Sequence, residues 1–293
     1  MRVVMCYNKT AFTPGRFLED GLKSVGCRVD VYRTDVDLSQ IDLSDAIAAI
    51  FVDSPPLAPI RIQGADRLTI PKLLWVHHGA NRLEKNLRMC RQVQPDLVLM
   101  AHSLQLADRF ERPVRFFPFG VASDIFNCST PLEQRAWDIA FVGSASEKLY
   151  NRRRAILRAI RAHFSGHAKI TLNAKVYLDR LAALYGNAKI VVNCAADELR
   201  TINMRLFEGM GCGALVVSDL VPHQDELFRD GKHYVVYQGV DDLLEKLEYY
   251  LAHLDRAQKI ATRGHRYVLA HHTYKHRARE LLQIIAELWK RSG

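Results

Sequence analysis

The fold can be argued from residues 200–219, which read Arg-Thr-Ile-Asn-Met-Arg-Leu-Phe-Glu-Gly-Met-Gly-Cys-Gly-Ala-Leu-Val-Val-Ser-Asp. Arg205 and Glu208 stand three residues apart, so on a helix they share one face. The glycines that follow end this helix. Residues 214–217 have the continuous apolar character of a parallel strand that is buried on both faces. The stretch therefore predicts an α/β sheet with a cation and a carboxylate near a helix N-terminus, where phosphate groups bind.

Strand and helix patterns alternate along the whole chain. Strands are predicted at 2–7, 28–32, 46–52, 72–76, 96–100 and 114–117 in the first half, and at 138–142, 169–172, 189–193, 214–218 and 234–237 in the second. Helices are predicted at 16–25, 82–91, 104–110, 150–164, 177–185, 202–210, 240–253 and 256–271. Such alternation predicts an α/β protein with two doubly wound parallel sheets.

A segment rich in proline, glycine and polar residues at 118–134 reads as a linker between the halves. We therefore predict a first domain at 1–130 and a second domain at 131–273. Residues 274–293 form a last segment with a helical apolar stripe.

Composition limits the class of protein. With 48% hydrophobic and 25% charged residues, the 293-residue chain is globular, and its net charge of +9 suits an anionic ligand, an anionic membrane surface or nucleic acid. The six cysteines are scattered without Cys-x-x-Cys spacing, which favours reduced thiols in a cytoplasmic protein. The N-terminus enters a strand directly, which argues against a signal peptide. No apolar run approaches the roughly 20 residues of a membrane-spanning helix.

The helix in this stretch resembles the nucleotide-sugar helix of GT-B glycosyltransferases. The pattern Asn-x-Arg-x-Phe-Glu-x-x-x-x-Gly resembles the branch named after the spore maturation protein CgeB, and it is carried here by Asn203, Arg205, Phe207, Glu208 and Gly213. The resemblance implies two Rossmann-like domains and a last helix that crosses back onto the first domain. It also implies that the Glu208 carboxylate binds the ribose hydroxyls of a nucleotide-sugar donor. Many retaining members carry another glutamate eight positions earlier, where this chain has Arg200. The alternative interpretation of Arg205 and Glu208 is an ion pair within the helix.

A second motif follows the first strand of the second domain, where Gly143 and Ser144 turn the chain before a basic helix. Free amides at such a turn, with Lys148 or Arg152 beside them, suit a phosphate. The resemblance assigns Gly143 and Ser144 to the donor diphosphate and Arg152 to its charge, with Arg153 as a substitute. The alternative is an ordinary turn with a solvated basic helix face.

Other donor contacts are implied around this turn. The resemblance places the amides near Thr201 and Asn203 beside the diphosphate, with Arg205 offsetting its charge. Tyr177 follows the strand after which GT-B proteins hold the base, so it is a candidate to flank uracil; a packed loop tyrosine is the alternative. Because no Asp-x-Asp occurs, we expect no metal at the diphosphate and no cofactor beyond the donor itself.

His77 and His78 follow the fourth predicted strand of the first domain. Loops at the carboxyl ends of parallel strands carry chemistry, and the pKa of histidine near neutrality suits a general base or the stabilisation of a leaving group. We predict that one of the two is catalytic, with His78 favoured because it precedes a glycine. A structural role is the alternative.

The sequence thus predicts a metal-independent hexosyltransferase-like enzyme of GT-B fold that moves a sugar, UDP-linked by preference, to a glycan, protein or small-molecule acceptor. Peripheral contact with an anionic membrane is compatible with its charge. Two other classes are weighed: a catalytically inactive GT-B scaffold, and a basic nucleic-acid-binding protein, for which no reading motif is found.

Overall fold

A computed structural model describes residues 1–8, 10–53, 61–79, 82–145, 150–173, 175–196 and 200–292. The chain forms two compact units. The first comprises Met1–Phe119 together with Tyr274–Gly293, and the second comprises Gly120–Thr273.

The first unit is built on a six-stranded parallel sheet. Its strands are β1 (Arg2–Cys6), β2 (Arg28–Tyr32), β4 (Ala46–Val52), β6 (Lys72–Val76), β7 (Leu97–Met100) and β8 (Val114–Phe116), in the order β2-β1-β4-β6-β7-β8. Its α-helices are α1 (Pro14–Ser24), α2 (Leu83–Val93) and α9 (Tyr274–Ser292), and the short strands β3 (Val36–Asp37) and β5 (Ile62–Gln63) pair with each other. The central strand β6 is buried at every position, as its apolar run from Leu73 to Val76 requires.

The second unit contains a five-stranded parallel sheet. Its strands are β9 (Trp137–Val142), β10 (Ile170–Asn173), β11 (Ala188–Asn193), β12 (Leu215–Asp219) and β13 (Val235–Tyr237), in the order β10-β9-β11-β12-β13. Its α-helices are α3 (Asn151–His163), α4 (Leu178–Gly186), α5 (Met204–Gly211), α6 (Gln224–Leu227), α7 (Gly239–Ala252) and α8 (Leu254–His271). The predicted alternation of parallel strands and helices is confirmed.

Strand order reverses once in each sheet. In the first unit β1 leads to β2 on one side and to β4 on the other, and in the second unit β9 lies between β10 and β11. Ligands of doubly wound sheets bind beyond the carboxyl ends of the strands at such a reversal. The fold therefore directs attention to the residues that follow β9 and β11, and to those that follow β1 and β4; the residues after β6 lie one strand further along the first sheet.

Two differences from the sequence prediction concern a domain boundary and the type of one helix. Residues 120–130, predicted in the first domain, belong to the second unit, because Val121 pairs with Thr273 and Phe126 is buried with 1% of its surface exposed. The α-helix predicted at 104–110 is a 3₁₀ helix, Leu104–Phe110, bounded on both sides by Ser103 and Glu111 in left-handed backbone conformation.

Candidate active site

The carboxyl ends of β9 and β11 are held together by the side chain of Arg205 in α5. Its Nε donates to the carbonyl oxygen of Val142 over 2.7 Å, and its Nη1 donates to Oδ1 of Asn193 over 2.7 Å. The guanidinium also lies 4.5 Å from the ring centre of Phe141. Arg205 is predicted to offset the charge of the nucleotide-sugar donor. In the structure, two of its N–H groups hold the two strand ends in place.

Gly143 follows β9 directly, and its lack of a side chain is required by the same arginine. A Cβ at this position would overlap Nη2 of Arg205. The Gly143 amide donates to the carbonyl oxygen of Asn173 at the end of β10 over 3.0 Å. The next residue, Ser144, is exposed. The Gly143 amide, expected to be free, is therefore already engaged, and the predicted contact of Gly143 and Ser144 with a diphosphate stays a prediction.

Arg153, which the sequence offered only as a substitute for Arg152, supports this turn from within. Its Nη1 donates to the carbonyl oxygen of Ser144 over 2.6 Å and its Nη2 to that of Cys194 over 2.8 Å, so it also links the segments after β9 and β11. The guanidinium stacks 4.1 Å from the ring centre of Tyr150. Because Arg153 is buried, its role is to shape the turn.

Arg152 points to a different strand end. Its Nη1 forms an ion pair of 2.8 Å with Oδ2 of Asp219, the buried last residue of β12. Burial opposes the charged form of Arg152, but the bond to Asp219 outweighs it and raises the pKa of the guanidinium. Arg152 keeps about a third of its side chain exposed (36%), so it remains accessible to an anion while its position is fixed.

The N-terminus of α5 is capped by Asn203, whose Oδ1 accepts from the Arg205 amide over 3.1 Å. Thr201 and Asn203 are both half-buried in the segment that enters the helix. The helix dipole adds positive character at this end. Thr201 and Asn203 thus lie at the start of the helix that carries Glu208, and their contact with a donor diphosphate stays a prediction.

Glu208 is a buried ionisable group of the second unit. It is 8% exposed, and no hydrogen bond or ion pair engages its carboxylate among the described residues. Burial raises the pKa of Glu208 to about 7, against the opposing charge of Arg205. The ion pair with Arg205 that was the alternative interpretation is thus not formed. A buried carboxylate without a partner is costly, so it points to a ligand that donates hydrogen bonds.

Two further predicted donor contacts stay predictions. Tyr177 is 44% exposed and stands at the N-terminus of α4. Lys148 lies outside the described residues, as does the acidic residue nearest to Arg200, Glu198.

In the first unit, His77 and His78 meet the carboxylate of Asp53, which follows β4. Oδ2 of Asp53 accepts from the His78 amide over 2.8 Å, while Oδ1 pairs with Nδ1 of His77 and lies 3.3 Å from Nδ1 of His78. Asn86 in α2 donates to the same carboxylate over 3.3 Å. Burial alone would raise the pKa of Asp53, but its two histidine partners hold that pKa well below the usual range.

The two histidines differ in access. The side chain of His77 is 4% exposed, and burial lowers the pKa of its ring in spite of Asp53. The side chain of His78 is 26% exposed. His78 is therefore the better placed of the two to meet a substrate, in line with its position before Gly79.

Sequence reasoning missed Asp53 and His102. Nε2 of His102 lies 3.0 Å from the carbonyl oxygen of His77, and its Nδ1 lies 2.8 Å from the hydroxyl of Ser103. Burial lowers the pKa of His102 to about 4, so this ring is neutral at physiological pH. The signal for Asp53 was an acid directly after an apolar strand. His102 carries a similar signal, since it stands two residues after the apolar strand β7.

The donor atoms of Asp53, His77 and His78 lie within 4.8 Å of one another, and these residue types can ligate a metal ion. Two features disfavour this use. Both carboxylate oxygens of Asp53 already have partners, and the first turn of α2 adds the cations Arg82 and Lys85, which lie close enough to interact with Asp53. We interpret the arrangement as a carboxylate that orients two histidines.

Comparisons with known proteins were informative for sequence family and for fold. A protein-family model described as glycosyl transferase-like matches residues 133–283. No curated protein sequence matches the chain.

Solved structures resemble the whole chain. Sucrose-phosphate synthase from Thermosynechococcus elongatus has a TM-score of 0.65 at 12% identity, covering 99% of this chain and 100% of its own. A glycosyltransferase from Rickettsia africae has a TM-score of 0.63 at 12% identity, covering 99% and 98%. Anabaena HepE in complex with UDP and glucose has a TM-score of 0.62 at 10% identity, covering 98% and 99%. At these identities the likeness shows the fold, which is that of GT-B glycosyltransferases.

No helix in the part of the chain that the structure describes combines the length and the apolar character needed to cross a membrane.

Proposed function

Because the chain belongs to the glycosyl transferase-like family, we propose that it transfers a sugar from a nucleotide-diphosphate donor, UDP-linked by preference, to an acceptor hydroxyl. The residues that we propose for the donor belong to the second unit, and the histidine that we propose as the base belongs to the first. The observation that carries this proposal is the buried, unpartnered carboxylate of Glu208.

Glu208 meets the requirements of a ribose-binding group. Two vicinal hydroxyls can donate to its two oxygens, which gives the buried charge the partners it lacks. The structure of HepE with UDP shows that a protein of this fold binds that nucleotide. In this chain, the pattern of Asn203, Arg205, Phe207, Glu208 and Gly213 also supports placing the protein in the CgeB-like branch.

The diphosphate would approach the Gly143–Ser144 turn on its Ser144 side, because the Gly143 amide already donates to Asn173, and it would also meet the amides of the segment with Thr201 and Asn203. Arg152, fixed by Asp219, and Lys148 supply positive charge. Arg205 and Arg153 act one step further back, since their hydrogen bonds keep the ends of β9 and β11 in place. These cations take the part that a divalent metal plays elsewhere, so we propose metal-independent transfer.

In the transfer step, the acceptor oxygen bonds to the anomeric carbon while the bond from that carbon to the diphosphate oxygen breaks. The proton of the acceptor hydroxyl passes to the ring of His78, and the electron pair of the broken bond leaves with the diphosphate. Asp53 holds the ring in place and stabilises the charge that His78 gains. His77, which is buried, is proposed to fix Asp53.

The setting of the enzyme is proposed on similar grounds. All six cysteines are free thiols, which suits the reducing cytoplasm. The net charge of +9 supports contact with an anionic membrane. A hexose is the proposed transferred group, and a glycan, a protein or a small molecule is the proposed acceptor.

The decisive experiment measures UDP binding by calorimetry at pH 8 in Glu208→Gln, which keeps the shape of the side chain and removes its charge. Loss of charge-assisted bonds of about 1.5–3 kcal/mol each should weaken binding roughly tenfold or more. Glu245→Gln is the matched control, because Glu245 is exposed on α7 of the same unit. Unchanged affinity in a folded Glu208→Gln protein would remove the donor-site assignment.

A further inference from the structure

A basic groove runs along the edge of the second unit, between α3 and β10. It has a volume of about 290 Å³, with Arg154, Arg158 and Arg161 on one wall and Leu157 and Leu172 among its apolar lining. β10 is the edge strand of the sheet, and all four of its residues are only half-buried. The groove is therefore open to a large partner.

The three arginines follow the spacing i, i+4 and i+7, which places them on one face of α3. Arg158 and Arg161 are exposed, and neither makes an ion pair within the described part of the chain. No carboxylate belongs to the groove lining among the described residues. Within the described residues, no ion pair therefore neutralises the charge of Arg158 or of Arg161. This face of α3 concentrates positive charge.

This face is distinct from the one that supports the proposed donor site. Arg152 and Arg153, on the same helix, are directed to Asp219 and to the carbonyl oxygens of Ser144 and Cys194. Of the residues assigned to the donor, Gly143 is the one that also lines the groove in the described ranges. The groove therefore adjoins the turn at Gly143 and is lined along α3 by Arg154, Arg158 and Arg161.

The dimensions indicate more than one anionic group. At 1.5 Å per residue, Arg154 and Arg161 are about 10 Å apart along the helix axis, which is longer than a single phosphate. Arginine binds phosphate oxygens in bidentate fashion, and the apolar side chains of Leu157 and Leu172 suit the less polar part of a phospholipid head. An array of neighbouring phosphate esters fits this combination of charge, length and apolar lining.

We propose that this groove is a membrane-docking surface, in which Arg154, Arg158 and Arg161 bind the phosphates of anionic lipid headgroups. Each arginine near an anionic leaflet adds to the attraction, and the attraction falls within a Debye length, so docking is sensitive to salt. The surface brings the enzyme to a bilayer without a spanning segment. It does not depend on the chemistry proposed for Glu208 or His78.

The test uses the whole chain in which Arg154, Arg158 and Arg161 are all changed to glutamine. Its matched control changes Lys259, Arg263 and Arg266 to glutamine. These cations are exposed on α8 with the same spacing, so their substitution removes the same amount of charge. Sedimentation with vesicles of phosphatidylglycerol and phosphatidylcholine, or of phosphatidylcholine alone, measures binding. UDP affinity is measured in parallel by calorimetry.

We expect the wild-type chain and the α8 variant to bind the anionic vesicles, and the α3 variant to lose roughly tenfold or more of that binding, with UDP affinity unchanged in all three. Absence of wild-type binding, or an equal loss in both variants, would overturn the proposal. Weakened UDP binding in the α3 variant would instead make the groove a part of the donor site. If soluble glycerol phosphate bound saturably and prevented vesicle binding, the groove would be assigned to a small phosphate ligand.

Discussion

Glu208 must be ionised to accept two hydroxyls, yet its surroundings favour the neutral acid. The pKa of about 7 reflects this conflict, because burial opposes the charge more strongly than Arg205 supports it. The carboxylate is thus kept near its titration point at physiological pH. Binding of ribose would relieve the cost of burial, so ligand affinity and protein stability respond to pH in opposite directions.

This conflict gives a prediction for stability. The folded pKa of Glu208 is raised, so the neutral acid stabilises the folded state below the unfolded pKa of about 4.5, and that contribution is lost as pH rises through 7. A shift of this size corresponds to roughly 3 kcal/mol. Glu208→Gln, which stays neutral, should therefore become more stable than wild type as pH rises from 5 to 8, as measured by urea unfolding. Glu245→Gln should follow the wild-type curve, and parallel curves for all three proteins would contradict the assignment.

His78 gives a kinetic prediction. If its ring takes the proton, His78→Ala should slow hydrolysis of the donor by about a hundredfold or more, while UDP affinity is retained. Hydrolysis is measured as the release of UDP in the absence of an acceptor. His167→Ala, an exposed histidine of the second unit, serves as the control. Full activity in both His77→Ala and His78→Ala would remove the histidines from the mechanism.

How far these residues could be predicted from sequence depends on the range of their contacts. Glu208, Asn203 and Gly143 were found because local patterns carry them. Asp53 became a candidate only when β4 and β6 were seen to be neighbours, since it lies 24 positions before His77. Arg152 and Arg153 are adjacent and chemically alike, so only the direction of each side chain separates the surface cation from the buried support.

Among the elements, α5 and the end of β9 are interdependent. Arg205 is carried by the first turn of α5, and the absence of a side chain at Gly143 is what allows its guanidinium to reach Val142. The helix was predicted two residues too early, at 202, because the capping of α5 by Asn203 could be placed only from the structure. Gly143 and Arg205 are far apart in the sequence, but each depends on the other in the structure.

A double-mutant cycle tests this interdependence. Gly143→Ala introduces a Cβ that overlaps Nη2 of Arg205 and should cost about 1–3 kcal/mol in urea unfolding. Arg205→Ala removes the obstacle, so the double variant should be more stable than the sum of the two single losses predicts. Strict additivity would show that the two positions do not interact.

At the scale of the whole molecule, the proposed transfer uses positive charge in place of a metal. If so, UDP affinity measured by calorimetry should be the same in EDTA as in manganese, because in the proposal Arg152 and the amides of the donor site supply the charge that the diphosphate requires. Affinity should fall as salt rises, since exposed cations are screened. Binding that is lost in EDTA and restored by manganese would contradict metal independence.

The first unit is assembled from both ends of the described chain, and this has a consequence for how it is made. Its α9 contributes Trp289, which donates to the carbonyl oxygen of Ile47 over 2.8 Å, and Arg277, which is buried and donates to that of Pro118 over 3.0 Å. Such contacts close very long loops, which slows folding. During synthesis, residues 1–119 must therefore wait, with the surface under α9 uncovered, until the entire second unit has been translated. A ribosome-bound chain that stops before residue 274 should consequently recruit chaperones more strongly than the finished protein.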